Sequence, residues 1–227
     1  MAELVVALDF PDAGSALALA RRLRGVAPWC KVGMELFCLA GPAVLTQLRE
    51  MDFHVFLDLK FYDIPNTVAQ AVRAAAQGGA ELLTIHTQGG ERMCREAVAA
   101  AAACRRPPLV FGVTVLTSFG PGEMPGIPQA PADFAGALAG MADSWQLDGI
   151  VCSGQEAAAV KARHPRLRCL CPGIRPASAS ADDQCRIMTP AAAVAAGADY
   201  LVVGRPITRA ADPLAAAHAI LDEMHTC

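Results

Sequence analysis

Residues 58 to 63 read Asp58-Leu59-Lys60-Phe61-Tyr62-Asp63, an amine with a carboxylate on either side. Residues two apart on a strand share a face, so Asp58 and Lys60 are expected to point together. Acidic neighbours favour the ammonium form, which suits a proton donor and not a Schiff-base nucleophile. Lys31 could add a second cation. Paired aspartates would also suit Mg²⁺, and an ordinary ion pair at a strand end is the plain structural alternative. Farther along, Pro172-Gly173-Ile174-Arg175 and Val203-Gly204-Arg205-Pro206-Ile207 place glycines beside arginines. Glycine lets backbone N–H groups approach an anion, and arginine can donate two parallel hydrogen bonds to a phosphate.

These residues fall at defined points of a regular alternation. Apolar, often β-branched runs at 4–8, 29–32, 55–59, 82–86, 109–115, 149–152, 168–171 and 200–203 read as strands. Alanine-rich helical stretches separate them: from caps at Asp12 or Ser15 to about residue 24, then 42–50, 66–78, 91–103, 132–144, 155–163, 191–196 and from 213 onward. Eight strand–helix units imply an α/β fold, a single-domain (β/α)8 TIM barrel spanning residues 1–227. A doubly wound sheet would be expected to carry a glycine-rich turn after its first strand, and Asp9-Phe10-Pro11-Asp12 is not one.

In such a barrel, chemistry belongs at the C-terminal ends of the strands. Those ends carry Asp9, Lys31, Asp58, Lys60, Asp63, His86, Thr117, Ser118, Arg175 and Arg205, whereas the opposite ends read as mostly apolar or turn-like. His86 is expected either in the wall of the site or in the core. Residues 176–184, small and polar, read as a lid. Glu35, near the end of the second strand, keeps a Mg²⁺-dependent sugar-phosphate decarboxylase or aldolase in view as a second reading.

Composition excludes several classes. With 227 residues, 54% of them hydrophobic, and a net charge of −3, the chain is neither disordered nor a cationic nucleic-acid binder. No apolar window is long enough for a membrane span, and Met1-Ala2-Glu3 with Asp9 soon after is unlike a secretory leader. Nine cysteines without a CxxC pair suggest reduced thiols in a cytoplasmic protein.

Taken in order, Ala7-Leu8-Asp9, Lys31-Val32-Gly33, Asp58-Leu59-Lys60-Phe61-Tyr62-Asp63-Ile64-Pro65-Asn66-Thr67, Val113-Thr114-Val115-Leu116-Thr117-Ser118, Pro172-Gly173-Ile174-Arg175 and Val203-Gly204-Arg205-Pro206-Ile207 resemble the signature segments of the orotidine 5′-phosphate decarboxylase family. The D-x-K-x-x-D core is shared with related sugar-phosphate barrels; its extension to I-P-N-T, with P-G-I-R and G-R-P-I, is far more specific. Tyr62 departs from the histidine found there in many members. The resemblance implies a cofactor-free, metal-free lyase of pyrimidine nucleotide synthesis that converts orotidine 5′-phosphate to UMP and CO₂. It implies Lys60 as proton donor to C6, Asp58 beside it, and Lys31 near the ribose and in the charge network. Asp9 would contact ribose hydroxyls, and Thr117 with Ser118 would bind the pyrimidine. Gln184, Gly204 and Arg205 would hold the phosphate, with Arg175 nearby. It further implies a homodimer in which Asp63 and Thr67, on the Ile64-Pro65-Asn66 segment, reach the partner's site.

Overall fold

Eight parallel strands, β1 (Glu3–Ala7), β2 (Trp29–Gly33), β3 (His54–Phe61), β4 (Leu82–His86), β5 (Leu109–Val113), β6 (Gly149–Val151), β7 (Arg168–Cys171) and β8 (Tyr200–Val203), pair in sequence order. β8 pairs back onto β1, which closes the expected (β/α)8 barrel. The structure is a computed structural model and describes residues 2–176 and 186–226. Around the barrel, among the described residues, lie α1 (Ala13–Leu23), α2 (Met34–Ala40), α3 (Ala43–Glu50), α4 (Pro65–Gln77), α5 (Gly90–Ala102), α6 (Pro131–Ser144), α7 (Gly154–Arg163), α8 (Pro190–Ala195), α9 (Arg205–Thr208) and α10 (Pro213–His225). None of these helices is long and apolar enough to cross a membrane.

The strands are apolar on both faces because both faces are covered. Outward residues such as Leu4, Val6, Val32, Val55, Leu83 and Ile85 pack on the helices, where alanines allow close approach. Inward residues Val5, Trp29, Phe56, Leu82, Phe111, Leu170, Tyr200 and Val202 fill the barrel with a second core. Helix starts follow their side chains: Asp12 caps α1 by accepting the Ser15 N–H at 2.7 Å, so Ser15 lies inside the helix. Ser153 and Glu156 form a reciprocal capping box on α7.

Four local expectations change. β3 runs on to Phe61, two residues beyond the expected end, and β5 stops at Val113. α2 forms directly after β2; Met34 and Leu39 on it are 52% and 62% exposed, so it lacks the one-sided apolar pattern that announces a helix. The short α9 follows β8 at once.

The N-terminal strand ends are also not apolar. Glu3 accepts the Trp29 indole N–H at 2.6 Å, and His54 Nδ1 meets Glu81 at 2.8 Å. Asp148 and Asp199 accept the backbone N–H groups of Val110 and Cys169 at 2.8 and 2.6 Å. Each of these acids is spent on a structural donor, which marks this end as the barrel's floor.

Candidate active site

At the C-terminal ends of the strands the barrel opens into a cavity of about 680 Å³. Asp9, Lys31, Asp58 and Lys60 enter it from β1 to β3, Thr117 and Ser118 from the β5–α6 loop, and Gly173, Arg175, Gly204 and Arg205 from the ends of β7 and β8. The charges alternate. Lys31 Nζ lies 2.8 Å from Asp9 Oδ1 and 4.0 Å from Asp58 Oδ2. Lys60 Nζ donates to both Asp58 oxygens at 2.9 Å. Gly33 makes room for this row, since a Cβ there would sit 3.0 Å from both Asp9 Oδ1 and Lys31 Nζ.

Asp58 and Lys60 meet, but not through simple strand alternation. Leu57 pairs with Leu83 and Phe61 with Ile85, so β3 takes four steps where β4 takes two. Within this bulge Lys60 stands at φ +51°, in the left-handed region that a side chain with a Cβ seldom adopts. The bulge aims the ammonium back at Asp58 and leaves it lining the cavity.

Burial pushes the Asp58 carboxyl up, yet Lys31 and Lys60, with hydrogen bonds from Lys60 and Thr84, outweigh it and hold the group below its ordinary value of 3.8. His86, at the end of β4, is half-buried and absent from the cavity lining, its ring 5.5 Å from that of Tyr62. Burial and then the Lys60 charge press its imidazole below 6.5, with Asp58 opposing.

Not every expected residue joins this group. Of the two carboxylates flanking Lys60 in sequence, only Asp58 bonds it. Asp63 is exposed and accepts its own neighbour's N–H, from Ile64, at 2.6 Å. Ile64, Asn66 and Thr67 are exposed at the start of α4 and Pro65 is partly so; none lines this chain's cavity. The expectation for Gln184, and most of the stretch read as a lid, lies outside the described residues. Arg175 is 6% exposed, lines the cavity and donates to the Ile174 carbonyl at 2.9 Å.

Two features escaped the sequence reading. Thr84, on β4 and fully buried, touches both Asp58 and Lys60. Behind the β5–α6 loop, Arg186 pairs with the buried Glu156 and donates to the carbonyls of Val115 and Leu116 at 3.3 and 3.1 Å. A threonine in an apolar strand carries no flag, whereas the S-x-x-E capping box would have placed Glu156 at a helix start.

A family model described as orotidine 5′-phosphate decarboxylase / HUMPS family matches residues 2–220. The orotidine 5′-phosphate decarboxylase of Nitratidesulfovibrio vulgaris (strain DP4) is 57% identical over 99% of this chain and 98% of its own length. That of Maridesulfovibrio salexigens is 50% identical over 100% of both. The crystal structure of orotidine 5′-phosphate decarboxylase from Lactobacillus acidophilus matches with a TM-score of 0.88, 33% identity and full coverage (100%) of both chains.

Proposed function

The chain belongs to the orotidine 5′-phosphate decarboxylase / HUMPS family and is a decarboxylase, a carboxy-lyase of pyrimidine biosynthesis; we propose that it converts orotidine 5′-phosphate to UMP and CO₂, with Lys60 as the proton donor to C6. The observation that carries this reading is the Lys60 ammonium, bonded twice by Asp58 and lining a cavity whose other end holds Arg175, Gly204 and Arg205.

Breaking the bond from C6 to the carboxylate leaves its electron pair in the plane of the pyrimidine ring, at right angles to the π system. No resonance sink takes that charge. Fixed electrostatics must stabilise it, and the Lys60 ammonium supplies both the positive charge and the proton that ends on C6. Solvent then returns a proton to the amine, and no metal or organic cofactor enters the balance. Asp58 would lie beside the departing carboxylate, acting through repulsion in the ground state or by orienting Lys60. Asp9 and Lys31 would meet the ribose, Thr117 and Ser118 the pyrimidine, and Arg205, Gly204, Arg175 and Gln184 the phosphate. Binding energy gathered at the phosphate, remote from C6, would then serve the transition state.

The working unit in this reading is a homodimer of one-domain chains. Met34, which lines the cavity, and Leu39, Tyr62 and Ile64 are 52–66% exposed, a set of apolar side chains suited to a second copy. Asp63, Asn66 and Thr67 stand on the same segment, from which they would enter the partner's site alongside Ile64 and Pro65. Seven described cysteines are free thiols, in keeping with a cytoplasmic setting.

The test follows the absorbance of orotidine 5′-phosphate with wild-type and Lys60→Ala protein, each with and without EDTA. Lys60→Ala is expected to lose at least about 10⁴-fold in kcat while still folding and binding UMP. A substantially active Lys60→Ala protein overturns the assignment. A wild-type protein that leaves orotidine 5′-phosphate unchanged but turns over a keto-sugar phosphate in an EDTA-sensitive way would favour the Mg²⁺-dependent reading, for which Glu35 lines the cavity.

A further inference from the structure

Thr84 sits on β4, fully buried, and is absent from the cavity lining, so it has no direct contact to offer a substrate. Its hydroxyl nevertheless touches both members of the central ion pair. Oγ1 accepts the backbone N–H of Lys60 at 3.0 Å and lies 2.9 Å from Asp58 Oδ1. A hydroxyl has one proton to give, and the Lys60 N–H can only donate. Asp58, kept ionised between Lys31 and Lys60, can only accept, so the Thr84 proton goes to Asp58 while Oγ1 accepts the Lys60 N–H.

The Lys60 backbone needs such support. It stands at φ +51° inside the bulge, a left-handed conformation that is strained for a residue with a Cβ. Its N–H bonds a side chain from β4, at the point where the β3–β4 register shifts. We propose that Thr84 is a positioning residue: its single hydroxyl locks the bulged Lys60 backbone to the ionised Asp58 carboxylate and so fixes the donor amine's aim. This inference rests on the reading that Lys60 and Asp58 carry out the decarboxylation.

The test compares Thr84→Val, which keeps the shape and removes the hydroxyl, with Thr84→Ser, which keeps the hydroxyl. Thr84→Val is expected to lower kcat by about 10- to 100-fold, with KM changed less than about threefold, because the donor is misplaced and substrate contacts remain. The acid limb of the kcat/KM profile should also move to higher pH, since Asp58 loses one of the hydrogen bonds that favour its charged form. The other charged or titratable groups around Asp58 (Lys31, Lys60 and His86, with Asp9 behind Lys31) stay in place in both variants. Thr84→Ser should stay within about threefold of wild type in kcat and keep its acid limb. If Thr84→Val does not fold, Thr84→Ala removes the same hydroxyl and is held to the same outcome. Wild-type kcat and acid limb in either hydroxyl-free variant, or a serine variant as impaired as they are, overturns the proposal. Lys60→Ala run alongside separates the two levels. An active Lys60→Ala protein defeats the parent reading, whereas an inactive one beside an unperturbed Thr84→Val defeats only the positioning role.

Discussion

Two largely buried carboxylates, each paired with a cation, stand on different sides of the β5–α6 loop and are driven in opposite directions. At the cavity, Asp58 faces two ammonium groups and accepts the Thr84 hydroxyl, and it is held below 3.8 despite its burial. Behind the loop, burial pushes Glu156 above 4.5, and Arg186 with the Ser153 N–H only partly pulls it back. The cations differ too. Lys60 spends its bonds on one carboxylate and still lines the cavity, whereas Arg186 divides its guanidinium between Glu156 and two carbonyls and leaves Nε buried without a partner among the described residues. A second cation and a hydroxyl thus convert a buried carboxylate from a liability into a fixed charge. The first pair lines the cavity, and the second is tied to the backbone of a loop.

The same conservative change, carboxylate to amide, should therefore give opposite results at the two pairs. Asp58→Asn is expected to have the larger effect, a loss of about 10³-fold in kcat, because two ammonium groups lose the charge between them. Its stability should also fall at neutral pH. Asp58's contribution is fully present above 3.8 and fades as pH drops through its depressed value. Near-wild-type turnover in Asp58→Asn would erase the contrast.

At the rear pair the sensitive partner is the arginine. Arg186→Met leaves a buried carboxylate unpaired and should cost about 3 kcal/mol of stability at neutral pH, read by denaturant unfolding. That loss should shrink as pH falls toward 4.5, because the unpaired Glu156, raised further above 4.5 without Arg186, takes up its proton on the way. Glu156→Gln is the smallest change: Arg186 keeps its two carbonyl acceptors and gains the amide oxygen, so stability should stay within about 1 kcal/mol of wild type and kcat within about threefold. The sign follows from linkage. A carboxyl raised above 4.5 in the folded chain lowers stability as pH rises through that raised value, so removing its charge removes a penalty. A large loss in Glu156→Gln would mean that the two pairs obey the same rule.

Much of this was legible in the chain itself. β-branched runs alternating with alanine-rich amphipathic stretches announced the barrel, because strands covered on both faces must be apolar and helices covered on one face must be two-sided. Asp9, Lys31, Asp58 and Lys60 stood out for the converse reason: charges at the ends of such runs need partners or a task. What stayed hidden depends on geometry with no residue signature. The bulge that turns Lys60 contains no glycine or proline. Thr84 is a good strand former and so unremarkable in β4. Glu156 and Arg186 are distant in sequence, and each alone reads as a surface charge. The acids on the barrel floor escape a reading of those strand ends as mostly apolar or turn-like; a charge at a strand end can equally serve a neighbouring backbone N–H, as Asp148 and Asp199 do.

A crystal structure with UMP bound tests the donor assignment most directly. Lys60 Nζ is expected about 3 Å from C6 of the pyrimidine, still bonded to Asp58, with the phosphate against Arg205. An Nζ turned away from the ring, with no other change in the Asp58 pairing, would contradict the central claim.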